Sequence, residues 1–292
     1  MEYRIDQSKC KQCGLCMEVC PGNILEMNET GEVCFIPERL VICQHCGQCM
    51  AICSTGAVQV EGLSYGRELV ELPEFSVDTH GFNDFLANRR SIRHFKEKPV
   101  PEEVIVRILD SLSYAPYGCE PGKLHITVVN NRATIESALP RVEQFLENVV
   151  KWIDHPIASR MIRRRNSRET FNTVKNHLYP ISALGHYKLA LGDRITRNAP
   201  ALVIFHAPLD AEEHTRNAMI QATYAMLAAH AGGLGAAMNG LVPAALNKVK
   251  EVREIFRVPE GHEAVISLIM GYPKYRYRRA IRRKPRNIHW VR

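Results

Sequence analysis

Apolar positions along this chain change their rhythm at about residue 80. Over residues 1–60 they come in short pieces, such as Val33-Cys34-Phe35-Ile36, between polar and glycine-bearing loops. Runs that short predict abbreviated strands separated by loops. Residues 61–79 carry turn signals at Gly62, Gly66 and Pro73 and read as a linker. Beyond it, residues 82–88 read as a helix. Pro101-Glu102-Glu103 opens another, with proline in the first turn and acids against the positive helix end. Residues 124–129, 201–205 and 264–270 read as buried strands, the last closed by Gly271-Tyr272-Pro273. The stretch 133–195 is mostly helical in pattern. His214 to Ala231 is alanine-rich with apolar residues around much of its circumference, which predicts a buried helix stopped at Gly232-Gly233. A further helix is predicted over 243–256. The division is therefore 1–60, a linker at 61–79, and an α+β unit at 80–292.

Composition narrows this picture. The chain has 292 residues, 46% of them apolar, enough for two domains with real cores. No segment reaches the ~18 continuous apolar residues of a membrane span, and Met1-Glu2-Tyr3-Arg4 opens no signal peptide. A cytoplasmic, non-membrane protein in a reducing interior is expected. The net charge is +7, yet residues 274–292 hold nine Lys or Arg and no acid; without those nine charges it falls to −2. The basicity is local, and with no recognisable nucleic-acid fold no nucleic-acid partner is expected. A second basic run, Arg160 to Arg168, reads as a solvated helix face.

Chemistry enters with the cysteines. Eight of ten fall into two copies of C-x2-C-x2-C-x3-C: Cys10, Cys13, Cys16, Cys20 and Cys43, Cys46, Cys49, Cys53. That is the ligand run of a bacterial two-cluster ferredoxin, in which three close cysteines wrap one 4Fe–4S cluster and the fourth reaches the other. One cluster should take Cys10, Cys13, Cys16 and Cys53, and the other Cys43, Cys46, Cys49 and Cys20. Gly14 and Gly47 follow the second ligand of each run, where the chain turns tightly. Zinc knuckles give a third and fourth cysteine at these offsets no role. Disulfides would need an oxidising compartment. Serine at 54 stands where Pro21 stands in the first run. Cys34 and Cys119 fit neither run and read as small buried hydrophobes. None of the histidines forms a metal-type pair; His206 and His230 read as satisfied core groups.

The segment Arg89-Arg90-Ser91-Ile92-Arg93 offers guanidinium forks and a hydroxyl suited to phosphate. By itself it equally fits a solvated basic segment. It is followed, in order, by Ala115-Pro116, by Ala228-Ala229-His230-Ala231-Gly232-Gly233-Leu234-Gly235, by Met238-Asn239-Gly240, by Gly271-Tyr272-Pro273 and by Arg283-Lys284-Pro285. Gly233-Leu234-Gly235 follows a helix, not a strand, and so is no Rossmann loop. The ordered set resembles the FMN-dependent nitroreductase family over about residues 80–290, and the cysteine runs resemble that family's ferredoxin-fused subgroup. The fold implied is α+β: a nitroreductase-like three-layer α/β/α domain with an N-terminal ferredoxin-like two-cluster domain.

The resemblance implies FMN, held at its phosphate and ribityl chain by Arg89, Ser91 and Arg93 with Arg90 close by, and by Arg283. Asn239 and Gly240 would approach the flavin N5 and O4. It implies a homodimer with FMN at the interface. It also implies two 4Fe–4S clusters feeding electrons from reduced ferredoxin, a similar low-potential donor or NAD(P)H to a nitroaromatic, quinone or enone. The sequence departs from the family at 117–122, where Tyr117 and Glu120 stand in a loop that is usually polar and amide-rich. Those two side chains are candidate proton donors, with loop shaping as the alternative. Reductive dehalogenation, flavin-modifying chemistry, or a redox sensor or electron carrier are the rival functions.

Overall fold

A computed structural model describes residues 3–74, 76–119, 121–165, 167–282 and 287–291. Glu120 and Arg283 lie outside the described residues. The chain divides into two units, Met1–Asp78 and Thr79–Arg292.

The first unit runs β1 (Arg4–Ile5), α1 (Leu15–Glu18), β2 (Leu25–Met27), β3 (Val33–Phe35), α2 (Gln48–Ala51) and β4 (Val58–Gln59). β1 pairs antiparallel with β4, and β2 with β3. Each short helix is entered through a glycine with left-handed backbone, Gly14 at φ 74° and Gly47 at φ 71°, a conformation that costs a side-chain-bearing residue free energy. The interior is small: Cys16, Ile24, Leu25, Val33, Cys49, Met50, Val58 and Val60. Residues 63–69, within the stretch read as linker, fold back on this core through Leu63 and Leu69. Tyr65 donates its hydroxyl hydrogen to the Met50 carbonyl at 3.2 Å.

The second unit runs α3 (Thr79–Asn88), α4 (Glu102–Asp110), β5 (His125–Val129), α5 (Arg132–Asp154), α6 (Pro156–Arg165), α7 (Arg168–Thr173), a π turn to α8 (Tyr179–Ala183), β6 (Ala201–Pro208), α9 (His214–Ala231), β7 (Gly235–Asn239), α10 (Leu241–Leu246), α11 (Lys250–Ile255) and β8 (His262–Gly271). The sheet order is β5-β6-β8-β7, antiparallel throughout. β6 explains the layering. Leu202 and Ile204 pack on one side with α5, α10 and α11; Ala201, Val203 and Phe205 pack on the other with α4 and α9. A strand covered on both faces reads as a continuous apolar run, and helices on both faces make three layers. Asn131 starts α5 by accepting the Thr134 N–H at 3.1 Å. The end of α9 closes where the Leu234 N–H reaches the Ala229 carbonyl at 2.8 Å and Gly233 turns left-handed at φ 76°.

Four expectations change. Met238-Asn239-Gly240, read as a turn, contains the end of β7, paired with β8 from Gly235↔Gly271 to Asn239↔Ser267; Gly-Ala-Ala has little intrinsic strand preference, and pairing makes it one. The single helix expected over 243–256 is two helices, parted where the Asn247 side chain bonds both the N–H and the carbonyl of Ala264, at 2.9 and 2.8 Å. α9 is buried on one face only, through Asn217, Ala218, Ala222, Ala225 and Ala229, while Met219 on another face is exposed. Cys119, read as buried, is exposed, and Cys34 is half-buried. α6 carries Arg160, Arg163 and Arg164 to solvent.

Candidate functional site

In the first unit the eight cysteines gather in two quartets. Cys10, Cys13, Cys16 and Cys53 line one cavity, and Cys20, Cys43, Cys46 and Cys49 line the other. Each run therefore contributes three cysteines to one cavity and one to its neighbour. Among the described residues, no three His, Cys, Asp or Glu side chains close on a point that a single ion could occupy. A polynuclear cluster, bound at its corners, takes more widely parted thiolates. Burial, followed by the neighbouring Cys20 and Cys46 thiols, pushes Cys49 up to about 12, and burial also pushes Cys16 up. Thiols so placed keep their protons unless a cation replaces them. Cys53 goes the other way: burial raises it, but the Thr55 hydroxyl and the N–H groups of Thr55, Val58 and Ala57 outweigh this and lower it. The cysteines fit 4Fe–4S clusters in number and donor type.

In the second unit, a cavity of about 500 Å³ opens where the 89–96 segment meets the end of α9 and the chain leaving β8. Main-chain bonds build it. The Ile92 N–H reaches Ala236 O at 3.1 Å, Lys96 N–H reaches Tyr272 O at 2.8 Å, and Lys274 N–H reaches His94 O at 3.0 Å. The approach of Ile92 to β7 is so close that a Cβ on Gly235 would lie 2.5 Å from the Ile92 Cβ. Arg89 and Arg90 line this cavity with Lys96, Lys274 and Arg276, alongside Met226 and His230 of α9. Arg89 points a guanidinium nitrogen at the Met226 sulfur, 3.5 Å away. His230 lies tilted against Phe85 with centroids 5.0 Å apart, and burial together with the Arg89 charge lowers its pKa. An anionic ligand thus meets fixed cations beside a neutral imidazole. The aromatic residues interleaved in the tail meet cations of this site, with Arg90 over Tyr277 and Lys274 over Tyr275, both at 5.9 Å.

The other candidate residues divide. Ser91 pairs with Ala236 beside the cavity, and Arg93 is exposed. Asn239 is buried, and its side chain is committed to protein: it donates to Ile195 O at 2.6 Å and accepts from the N–H groups of Leu241 and Val242 at 2.9 and 3.2 Å. Its backbone carbonyl in turn accepts the Ser267 hydroxyl at 2.9 Å, so the Asn239 side chain ties the end of β7 to the start of α10 and is not free to reach a ligand. Tyr117 is exposed in a loop anchored at the first turn of α9, where Asn217 accepts the Gly118 N–H at 2.8 Å and donates to Cys119 O at 3.2 Å. Nine residues part Asn217 from Met226, about 14 Å along a helix. One chain therefore does not bring Tyr117 to the Arg89 cavity. Lys274 and Arg276 were not among the expected site residues; their signal was position, as the first cations after Gly271-Tyr272-Pro273.

The nitroreductase family profile matches residues 86–272, well over half of the chain, and a 4Fe–4S binding domain profile matches residues 3–26. The chain belongs to the nitroreductase family. It is 26% identical over 193 residues, 64% of this chain and 75% of the other, to a candidate NADH dehydrogenase/NAD(P)H nitroreductase of Methanothermobacter thermautotrophicus. Two solved structures share the fold. One is a nitroreductase with bound FMN from Bacteroides fragilis, with TM-score 0.53 and 20% identity, covering 72% of this chain and 98% of that one. The other, also with bound FMN, is from Desulfitobacterium hafniense, with TM-score 0.51 and 18% identity, covering 72% and 97%. Among the described residues no helix is long and apolar enough to cross a membrane.

Proposed function

We propose that the chain is an iron–sulfur flavoprotein oxidoreductase that passes electrons from a low-potential donor through two 4Fe–4S clusters to FMN and on to a small electrophilic acceptor. The observation that carries this reading is the crossing of the two cysteine runs between two cavities, on the same chain as a nitroreductase-family unit with a cation-lined cavity. The relatives' bound FMN supports the same reading. Bound FMN would take electrons singly and release them as a pair.

The protein's own contributions follow from the residues. Cys10, Cys13, Cys16 and Cys53 hold one cluster, and Cys20, Cys43, Cys46 and Cys49 the other. Arg89, Arg90, Ser91, Lys274 and Arg276, with Arg93 and Arg283, hold the phosphate and ribityl chain. The backbone at Asn239–Gly240 meets the ring edge, where N–H groups stabilise negative charge. Tyr117 and Glu120 supply protons from the 117–122 loop. Because that loop is anchored about 14 Å along α9 from the cavity within one chain, it serves the cavity of a second copy, and the site belongs to a homodimer. The apolar residues left exposed at Phe82, Leu86 and Met219 suit such an interface.

The test is anaerobic. Reconstituted protein is assayed for iron and FMN, reduced with reduced ferredoxin or NADPH, then mixed with a nitroaromatic, quinone or enone while the flavin band is followed. Flavin reoxidation is expected, with transfer from ferredoxin abolished by Cys46→Ala. No reoxidation by any of these acceptors overturns the reductase reading and favours a sensor or carrier.

A further inference from the structure

The two cysteine sites are built as a repeat, yet their surroundings differ. Gly14 and Gly47 are equivalent, as are Met17 and Met50. Gly47 and Met50 are buried, whereas Gly14 and Met17 are half-exposed. The difference is the strap at 63–69. A Cβ on Gly47 would lie 3.3 Å from Leu63 Cδ1 and 3.7 Å from Leu69 Cδ1, while one on Gly14 would meet only Met17 at 3.5 Å. The strap is a made structure. The Gly66 N–H bonds Leu69 O at 2.8 Å, and Glu68 accepts from the Ser64 N–H and hydroxyl at 3.0 and 2.8 Å. Tyr65 straddles the sites, packing its ring over Gly56 and bonding Met50 O.

A second difference lies in hydrogen bonds to sulfur. At the first site, Cys53 Sγ accepts the Ala57 N–H at 3.3 Å and lies 3.6 Å from the Thr55 hydroxyl, and Cys10 Sγ accepts the Gln12 N–H at 3.4 Å. Cys20 is the counterpart of Cys53 at the second site, and two residues after it stands Gly22, with no hydroxyl to offer. At that second site the Tyr3 hydroxyl, 2.8 Å from His45 Nε2, is hydrogen-bonded to Cys43 and is the one hydroxyl offered to sulfur there among the described residues.

We propose that the Leu63–Leu69 strap and the Thr55 hydroxyl make the two cluster sites inequivalent, so that the Cys20/Cys43/Cys46/Cys49 site has the lower reduction potential and the Cys10/Cys13/Cys16/Cys53 site the higher. This rests on both quartets holding clusters. Gaining one electron makes a thiolate-bound cluster more negative. Apolar cover disfavours the more charged state, and hydrogen bonds to sulfur favour it. The strap and the Thr55 and Ala57 hydrogen bonds to Cys53 act in the same direction, against the single Tyr3 hydroxyl at Cys43. Leu63, Leu69 and Thr55 touch no iron, so they are positioning residues.

The test is an electron-paramagnetic-resonance redox titration of the full-length holoprotein with dithionite, each cluster gaining one electron from the reductant, with iron content measured on every variant. Cys13→Ser and Cys46→Ser assign the two waves. The Leu63→Ser/Leu69→Ser variant should raise the lower wave by about threefold in the reduction equilibrium, roughly 28 mV at 59 mV per decade, and leave the upper wave in place. Thr55→Val should lower the upper wave only, and Thr55→Ser should restore it. Eight irons with both waves moving together, or with the lower wave assigned to the Cys13 site, overturns the inference. Four irons per chain in the unsubstituted protein overturns the two-cluster reading itself, and this inference with it.

Discussion

Gly235→Ala tests whether the cation-lined cavity is assembled by close packing of the 89–93 segment on β7. The added Cβ would lie 2.5 Å from both the Cβ and Cγ1 of Ile92 and 2.6 Å from its Cγ2. Ordinary contact begins at about 3.4 Å, so Ile92 must retreat by roughly 0.9 Å. It cannot do so alone, because its own N–H is bonded to Ala236 O at 3.1 Å and its side chain is buried in the core. Overpacking of this kind costs about 1–3 kcal/mol. If the strain loosens the Arg89–Arg93 segment, FMN binding weakens by about 5- to 150-fold, at 1.4 kcal/mol per decade. If it falls on the core, Tm drops by about 2–4 °C per kcal/mol for a unit of this size. The assays are fluorescence titration of FMN into stripped protein and thermal unfolding of the same samples. Ile92→Gly in the Gly235→Ala background should recover more of the loss than Ile92→Ala, because alanine keeps the Cβ that itself lies 2.5 Å from the added one. Gly232→Ala is the control: its added Cβ would make only ordinary contacts, 3.5 Å to Ala228 O and 3.7 Å to Ala229 O. Unchanged FMN affinity and unchanged Tm in Gly235→Ala would refute the argument.

Two further outcomes concern pH. His206 is 2% exposed and shares hydrogen bonds with Thr127 and His262 at 3.0 and 2.9 Å; burial, then the His262, His125 and Arg253 charges, lowers it to about 4. The unfolded chain takes the proton near pH 6.5 and the folded chain only near 4, so stability is complete above 6.5 and falls as pH drops through that window. The loss reaches about 3 kcal/mol, and denaturant unfolding of His206→Gln between pH 7 and 4 should show a flatter profile than the parent; parallel profiles would dismiss the assignment. Asp193 accepts the N–H groups of Ile195, Thr196 and Asn198 at 2.9, 2.7 and 2.9 Å and pairs with Arg132 at 3.0 Å. Burial raises its carboxyl, but the Thr196 hydroxyl, the N–H groups of Asn198 and Thr196 and the Arg132 charge outweigh that and hold it low. Its stabilisation is therefore full above the ordinary carboxylate range and is lost only as pH falls below it. Asp193→Asn should cost about 3 kcal/mol at pH 7, read as a lower denaturation midpoint, with the gap to the parent closing below pH 4.

The parts of this protein legible in its sequence were those whose partners lie within a few residues. Cysteines suited to a cluster repeat at fixed short offsets, because a chain wraps such a group locally, so the spacing of Cys10 to Cys20 and Cys43 to Cys53 carried its own meaning. β6 and β8 were legible because a doubly covered strand is an uninterrupted apolar run. Helix starts and the Gly232-Gly233 stop were legible because caps are local chemistry. Tertiary structure decided the rest. β7 is a strand only because β8 lies beside it. Residues 63–69 look like a linker, since nothing in their composition says that two leucines will cover Gly47. Lys274 and Arg276 join Arg89 and Arg90 at one cavity although more than 180 positions separate them, and Tyr117 is held away from that cavity by about half of α9. Such juxtapositions are made by burying apolar surface, which has no direction along the chain; only the folded arrangement says which distant charges end up facing one another.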